Sequence, residues 1–277
     1  MTALTYALAA YAVNDDLTVS GMVDHGGQRV TVDMSDDYQQ LIRELGTMVS
    51  NKPLYPTKTL GASGFDLSFS NTFAFISQTG ADGGPGPWQR ADVDEDIANS
   101  YLFVPQVSAR KGLPLSMELG ASGGWIGVSH QGVFGGWGRI GLIEGYKPYP
   151  DISLHFGYAG FVGNDEIELG AADAGVTFGS GFAFGSFPGI NNAVFQPLLD
   201  ASIVRIAAYP SISDSVAQAT GALPIGASRH DNSLPAIWQP QFSGGFQLVN
   251  GTVLFRAIGS YAPGSIASLT LGMGWQY

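Results

Sequence analysis

Apolar and polar residues alternate with a period of two along most of the chain after Leu60. In Gly64–Ile76, phenylalanine and leucine fall at odd positions, whereas Asp66, serine and threonine fall at even positions. Such alternation predicts β-strands with one apolar and one polar face. Ten segments show it: Gly64–Ile76, Tyr101–Arg110, Leu115–Ser122, Phe134–Leu142, Ile152–Tyr158, Ile167–Phe178, Leu198–Tyr209, Trp238–Phe246, Val253–Tyr261 and Leu269–Tyr277.

The sixth and seventh of these strands change the parity of their apolar positions. The sixth begins with Ile167 and Leu169 on its apolar face and continues with Val176 and Phe178. The change predicts a β-bulge near Gly170, because one extra residue reverses the face of every side chain that follows. The seventh strand changes parity in a similar way, so the alternation alone does not fix the register of either strand.

Residues 1–59 have a different pattern and are predicted to form an N-terminal extension to a main body of residues 60–277. Residues 1–12 are apolar and end in Ala-Tyr-Ala, which suggests either a truncated signal sequence or a first strand. A weak hairpin is predicted around His25. An amphipathic helix is predicted over residues 36–49, with Ser35 as its N-cap and Pro53 after its end.

Composition narrows the class of protein. Only 13% of residues are charged, 39 are glycine, none is cysteine, and the formal net charge is −11. The acidic balance argues against a nucleic-acid partner, and the lack of cysteine excludes disulfides and thiolate metal sites. No run of about 18 apolar residues indicates a transmembrane helix. Two fold classes remain compatible with these features: a soluble β-sandwich or lipocalin-like barrel, and a transmembrane β-barrel.

The connections and the polar faces favour the transmembrane barrel. Gln78–Ser100 and Pro210–Pro235 are the longest connections, and both would lie at the same end of an up-and-down barrel. The polar faces contain glycine, serine, threonine and glutamine, with little lysine or glutamate, which suits a confined lumen. We therefore predict an all-β fold: a transmembrane antiparallel up-and-down β-barrel of ten strands, or twelve if the N-terminal segments join it, with a short N-terminal helix.

Three stretches carry a family resemblance. The C-terminal SLTLGMGWQY resembles the terminal signature of Gram-negative outer-membrane barrels. The stretches DDYQQLIRELGTMVSNKPLYPTKTLGASGFDLSFSNTFAFIS and YPDISLHFGYAGFVGNDEIELGAADAGVTFG resemble uncharacterised outer-membrane barrels of myxobacteria and related deltaproteobacteria. The likeness spans roughly residues 36–277. It implies a bacterial outer-membrane location and makes a role in surface or gliding machinery an expectation.

Assigning the polar faces to the inside predicts a network of charged side chains in the lumen. Its members are Asp66, Arg110, Glu118, Arg139, Asp151, Glu168, Asp173, Asp200, Arg205 and Arg256. In so narrow a tube, arginines and carboxylates are expected to pair and close the lumen. A constriction that selects a small solute is the alternative.

Other chemistry has little support in the sequence. Asp92, Asp94 and Asp96 have the spacing that begins a calcium loop, but the glycine and glutamate that complete such a loop are absent, so they are weak metal candidates. The pairs Ser129–His130 and His230–Ser233 fit no catalytic motif. No enzyme activity and no cofactor are predicted.

Two functions follow as expectations. The first is an anchor or scaffold of a cell-envelope complex, which would contact other envelope proteins through its helix and long extracellular loops. The second is a narrow porin-like channel for small solutes. In both cases the barrel would contact outer-membrane lipid and lipopolysaccharide.

Overall fold

The computed structural model describes residues 17–22, 24–25, 28–29, 34–52, 55–91, 100–127, 129, 131–146, 149–184, 193–226 and 233–277. Its strands are β1 (Asp24–His25), β2 (Gln28–Arg29), β3 (Phe65–Phe75), β4 (Tyr101–Leu113), β5 (Met117–Trp125), β6 (Gly132–Ile143), β7 (Asp151–Val162), β8 (Ile167–Gly179), β9 (Phe182–Phe184), β10 (Ala193–Pro210), β11 (Ile237–Asn250), β12 (Val253–Tyr261) and β13 (Ala267–Gln276). The helices are a 3₁₀ turn (Ser20–Met22), α1 (Ser35–Val49), α2 (Pro87–Ala91) and α3 (Asp214–Thr220).

Ten of the strands form a closed antiparallel barrel, as predicted. Each pairs with its neighbour in the chain, and the pairing of β13 with β3 closes the ring. The short β9 pairs with the first residues of β10 and extends the sheet beyond the barrel. The hairpin β1–β2 pairs only with itself, so the barrel has ten strands rather than twelve.

The two ends of the barrel differ in the length of their connections. The long connections after β3 and β10 lie at one end, and the short turn between β4 and β5 lies at the other. Outer-membrane barrels have short periplasmic turns and longer extracellular loops. The end that carries the connection after β3 is therefore the extracellular end, and the first residue of β3 lies at the periplasmic end.

The outer surface of the barrel is apolar. Phe134 and Leu199 are 65% and 66% exposed on this surface. Tyr146, Tyr149 and Tyr277 are exposed at its periplasmic end, where an aromatic girdle is expected. A closed barrel with this exterior has no unpaired sheet edge and matches the hydrocarbon of a bilayer. Among the described residues, no helix is long and apolar enough to cross a membrane.

The structure corrects the predicted bulge near Gly170. The pairing of β8 with β10 runs without a shift from Gly179–Leu198 to Ile167–Pro210, and the register shift described in the barrel lies in β6 instead. The parity of β8 does not change along the strand. Its inward residues are apolar at the extracellular end and polar further down, because they face different contents of the lumen.

Helix α1 supplies those contents. It begins at Ser35, one residue earlier than predicted, so Met34 rather than Ser35 occupies the N-cap position. Residues of α1 contact β7, β8, β10 and β11 from inside the barrel. Residues 50–52 and 55–60 lie between α1 and the periplasmic end, where β3 begins. We call residues 34–52 and 55–60 the plug. The division of the chain at residue 60 into extension and barrel stays a prediction.

Candidate functional site: the filled lumen

The extracellular half of the lumen is a hydrophobic core. The apolar side of α1, with Tyr38, Leu41 and Leu45, belongs to one buried cluster with Val204 and Ile206 of the barrel wall. Gly46 lies so close to this wall that a Cβ at residue 46 would be 2.3 Å from Cγ2 of Ile206. The helix therefore packs on the barrel as closely as a core element does, with no water layer between them.

Polar contacts fix α1 to the first extracellular loop. Glu44 is fully buried and accepts hydrogen bonds from the indole nitrogen of Trp88 at 2.6 Å and from the backbone of Ser77 at 3.1 Å. Asp37 forms a buried ion pair of 2.7 Å with Arg90. Arg90 also binds Asp82 at 2.6 Å, and this hydrogen bond lowers the pKa of the exposed Asp82 carboxyl.

The periplasmic half of the lumen contains a buried charge network. Asp66 pairs with Arg110 at 3.1 Å and with Arg256 at 2.5 Å. Glu118 pairs with Arg139 at 2.5 Å and with Arg110 at 3.4 Å. The two carboxylates and three arginines alternate around the lumen, so every member has an oppositely charged partner. Such pairing is what a charge needs when it is removed from water.

Tyr55 of the plug stands in the middle of this network. The guanidinium carbons of Arg110 and Arg256 lie 4.4 and 4.3 Å from the centre of its ring. Its hydroxyl donates a hydrogen bond of 2.7 Å to Ser108, and its ring centroid is 4.8 Å from that of Trp137. Cations bind aromatic faces more strongly when water is excluded. The plug therefore joins the network by cation–π contacts as well as by packing.

A second polar group lies on the neighbouring wall. His155 stands between two carboxylates, with Nε2 4.0 Å from Asp173 and Nδ1 3.4 Å from Asp200. Asn51 of the plug donates to Asp173 at 3.3 Å, and Thr177 donates to Asp200 at 2.9 Å. Two cavities of about 20 Å³ adjoin Tyr55, and each has room for about one water molecule.

The structure places eight of the ten predicted charged residues inside the barrel but separates them into groups. Asp66, Arg110, Glu118, Arg139 and Arg256 form the network; Asp173 and Asp200 face His155; and Asp151 lies near the periplasmic rim, where it accepts a hydrogen bond from Gly145. Neither Tyr55 nor Asn51 lies in a periodic segment or a motif, so sequence analysis did not find them. His155 lies on the polar face of its strand, and this position alone could have predicted that its side chain faces the lumen.

Glu168 and Arg205 require a correction, because the lumen prediction is wrong for both. Glu168 is exposed, and Arg205 is half-buried between the inward-facing Val204 and Ile206. Their side chains are on the outer surface. The prediction followed the apparent parity change, which arises because the inward residues facing α1 are apolar.

The remaining candidates can be placed only in part. Asp92, Asp94 and Asp96 lie outside the described residues, as do residues 1–12, His130 and His230. Within the described part of the chain, no group of three or more histidine, aspartate or glutamate side chains is arranged to hold a metal ion. Ser129 donates a hydrogen bond of 2.5 Å to the carbonyl oxygen of Ile126 in a turn.

No protein-family profile and no curated protein matches the chain. Solved structures do. Omp33 of Acinetobacter baumannii has 10% identity over 80% of this chain and 100% of its own, with a TM-score of 0.31. Ail of Yersinia pestis is 11% identical over 78% of this chain and 99% of its own, with a TM-score of 0.28. Neisserial surface protein A is 13% identical over 78% of this chain and 97% of its own, with a TM-score of 0.29.

These are structures of bacterial outer-membrane proteins, and at such TM-scores the likeness carries no argument of its own. The ten-stranded closed sheet itself shows the fold of an outer-membrane β-barrel. Its closed sheet and apolar exterior assign the protein to the bacterial outer membrane. The finer resemblance to myxobacterial barrels stays a prediction.

Proposed function

We propose that the protein is a non-enzymatic anchor whose closed barrel holds an extracellular assembly in the outer membrane. The observation that carries the proposal is the filled lumen: α1 occupies the extracellular half, and Tyr55 with its arginines occupies the periplasmic half. A barrel only slightly wider than the eight-stranded kind has little interior space to begin with.

A narrow porin-like channel, the second candidate, would require the plug to leave. Its departure would expose to water the apolar wall around Val204 and Ile206, which are both fully buried. It would also break the buried hydrogen bonds that Glu44 accepts from Trp88 and Ser77. Both effects oppose opening, because exposing apolar surface and losing buried hydrogen bonds each cost free energy.

The path of the chain before the plug determines which residues the anchor presents at the extracellular end. Hydrogen bonds of Leu17, Thr18 and Ser20 hold this segment at the extracellular end. The amide of Thr18 donates to Ala91 at 2.7 Å, Leu17 accepts from Asn164 at 2.7 Å and donates to Gln131 at 3.3 Å, and Ser20 donates to Glu166 at 2.9 Å. These partners all belong to extracellular connections.

Residues 17–22, the described part of the N-terminal segment, therefore lie at the extracellular end, and α1 is buried rather than available as a periplasmic docking helix. Partners of the envelope or cell surface, including surface machinery of the kind implied by the resemblance, would contact the extracellular loops and residues 17–22. This replaces the expectation that partners bind the helix itself.

Single-channel conductance in a planar bilayer tests the closed lumen. We expect the wild-type protein to insert and remain electrically silent. The control is a disulfide between Gly46→Cys and Ile206→Cys, which are adjacent in the structure and would be the only cysteines in the chain. Stable conductance steps that disappear when this disulfide forms would show a movable plug and replace the anchor by a channel.

Cysteine labelling on whole cells tests the topology. A membrane-impermeant maleimide should label Thr18→Cys and the extracellular control Ala81→Cys on intact cells. It should label Thr252→Cys, in the exposed periplasmic turn before β12, only after the outer membrane is permeabilised. Labelling of Thr18→Cys only after permeabilisation would contradict surface presentation of the N-terminal segment.

A further inference from the structure

The outer surface of β7, β8 and β10 contains a concavity near the extracellular end. Its volume is about 430 Å³, and its base is formed by the small residues Gly160, Gly170, Ala172 and Ala207. Tyr158, which is 62% exposed, flanks it. Most of the exterior instead presents large apolar side chains to the bilayer.

Gly170 makes room for a tyrosine in this concavity. A Cβ at residue 170 would lie 2.3 Å from the hydroxyl oxygen of Tyr158, so any larger residue there would displace the tyrosine side chain. The depression is therefore a built feature of three adjacent strands, and its shape depends on the identity of these residues.

Arg205 supplies a positive charge to the same concavity. The outward residues before it on β10 are Leu199, Ala201 and Ile203, all exposed, so Arg205 stands at the extracellular edge of the apolar band. One hydrogen bond is described for its guanidinium, from Nη2 to the carbonyl oxygen of Gly226 at 3.3 Å. An arginine on the lipid-facing side of a barrel costs little near the interface, where it lies at the level of anionic lipid headgroups.

Glu168 marks the outer limit of the concavity. It pairs in register with Tyr209, four positions beyond Arg205, which is about 13 Å along the strand at about 3.3 Å per residue. Among the described residues, Glu168 forms no ion pair with Arg205 or with any other side chain. The two charges are thus separated along the direction of the membrane normal, with the positive one closer to the hydrocarbon.

We propose that this concavity binds a phosphorylated glycolipid of the outer leaflet, of the lipid A type. Arg205 pairs with the phosphate, because a guanidinium presents a planar set of donors that matches phosphate oxygens. The glycine and alanine base receives the sugar and the start of an acyl chain. Glu168, further out, lies at the level of sugar hydroxyls and of the divalent cations that neighbour them.

Native mass spectrometry of the refolded full-length barrel in non-ionic detergent tests the proposal. Diphosphoryl lipid A is the probe, with phosphatidylglycerol as the glycerophospholipid comparison. We expect one lipid A molecule per wild-type barrel and an apparent affinity about tenfold lower for Arg205→Gln, the scale of one charge-assisted hydrogen bond. Arg205→Lys should retain part of the binding because it keeps the charge.

Filling the concavity separates specific binding from general lipid association. Ala172→Leu should weaken lipid A binding. Ala174→Leu is the matched control, because Ala174 is the next outward residue of β8 and does not line the concavity. A fold check by heat-modifiable gel mobility is expected to be the same for all these variants, since the substitutions lie on the exterior.

Three results would overturn the proposal. The first is equal lipid A binding by all variants, and the second is phosphatidylglycerol binding that matches lipid A in affinity and in its dependence on Arg205. The third is a barrel dimer that Arg205→Gln dissociates, which would assign the concavity to a second copy of the chain.

Discussion

Replacing Gly46 with alanine tests how tightly α1 is packed in the lumen. An added Cβ would lie 2.3, 2.8 and 2.9 Å from three side-chain carbons of Ile206. Ile206 has no exposed surface, and its neighbours in the hydrophobic cluster are also buried, so the side chain has little room to move. The substitution therefore forces either an unfavourable rotamer of Ile206 or a shift of the helix.

The expected magnitude combines two opposing effects. Overpacking a core costs about 1–3 kcal/mol, whereas alanine in place of glycine stabilises a helix by about 1 kcal/mol. We expect Gly46→Ala to lower the free energy of unfolding by about 1–2 kcal/mol, because three close contacts are created at once. Ile206→Ala alone should cost about 2–5 kcal/mol through the cavity that it leaves.

The double variant provides the decisive comparison. Since Ile206→Ala removes the three carbons nearest to the new Cβ, the two changes together should cost about 1–3 kcal/mol less than their sum. Urea unfolding in lipid vesicles, followed by tryptophan fluorescence and by gel mobility, measures the four free energies of unfolding. Additive effects, or a Gly46→Ala variant more stable than wild type, would refute close packing of α1 against β10.

Three further predictions concern the polar contacts. Arg256→Ala removes one of two cations from the buried Asp66 and should lower the free energy of unfolding by about 3–5 kcal/mol, measured by the same urea assay. Glu44→Gln should lower it by about 1–3 kcal/mol, because the indole and backbone donors lose an ionised acceptor; unchanged stability would contradict the buried contact. The pKa of Asp82 is lowered by Arg90, so the contact is present above the unfolded-state pKa and is lost as the pH falls through the lower folded-state pKa. Limited proteolysis of the first loop should therefore accelerate in acid, and Asp82→Asn should remove this pH dependence.

The strands could be predicted from the sequence because the bilayer is uniform. Every outward position of a spanning strand meets the same hydrocarbon, so the period of two is preserved from Phe65 to the C-terminal strand. The contents of the lumen are not uniform. Where β8 and β10 face α1, their inward residues are apolar as well, and Glu168 and Arg205 were assigned to the wrong face for that reason.

The contacts of Tyr55 could not be predicted for a different reason. The segment after α1 has no periodicity. Its described residues are positioned by contacts of their side chains and carbonyl oxygens with groups of the barrel wall. Arg139, for example, donates a hydrogen bond to the carbonyl oxygen of Tyr55 at 3.3 Å. Of the charges that meet around Tyr55, Arg110 and Glu118 lie in one hairpin, whereas Arg256 reaches Asp66 only because the barrel closes.

The route of the plug changes the parity of the chain's membrane crossings. Ten strands alone would return the chain to the side on which it started, as an even number of crossings always does. The plug is one more passage, inside the barrel, so the total of ten plus one is eleven. An odd total puts Leu17 and Tyr277 on opposite sides of the outer membrane, so one chain supplies both the barrel wall and the passage through its lumen.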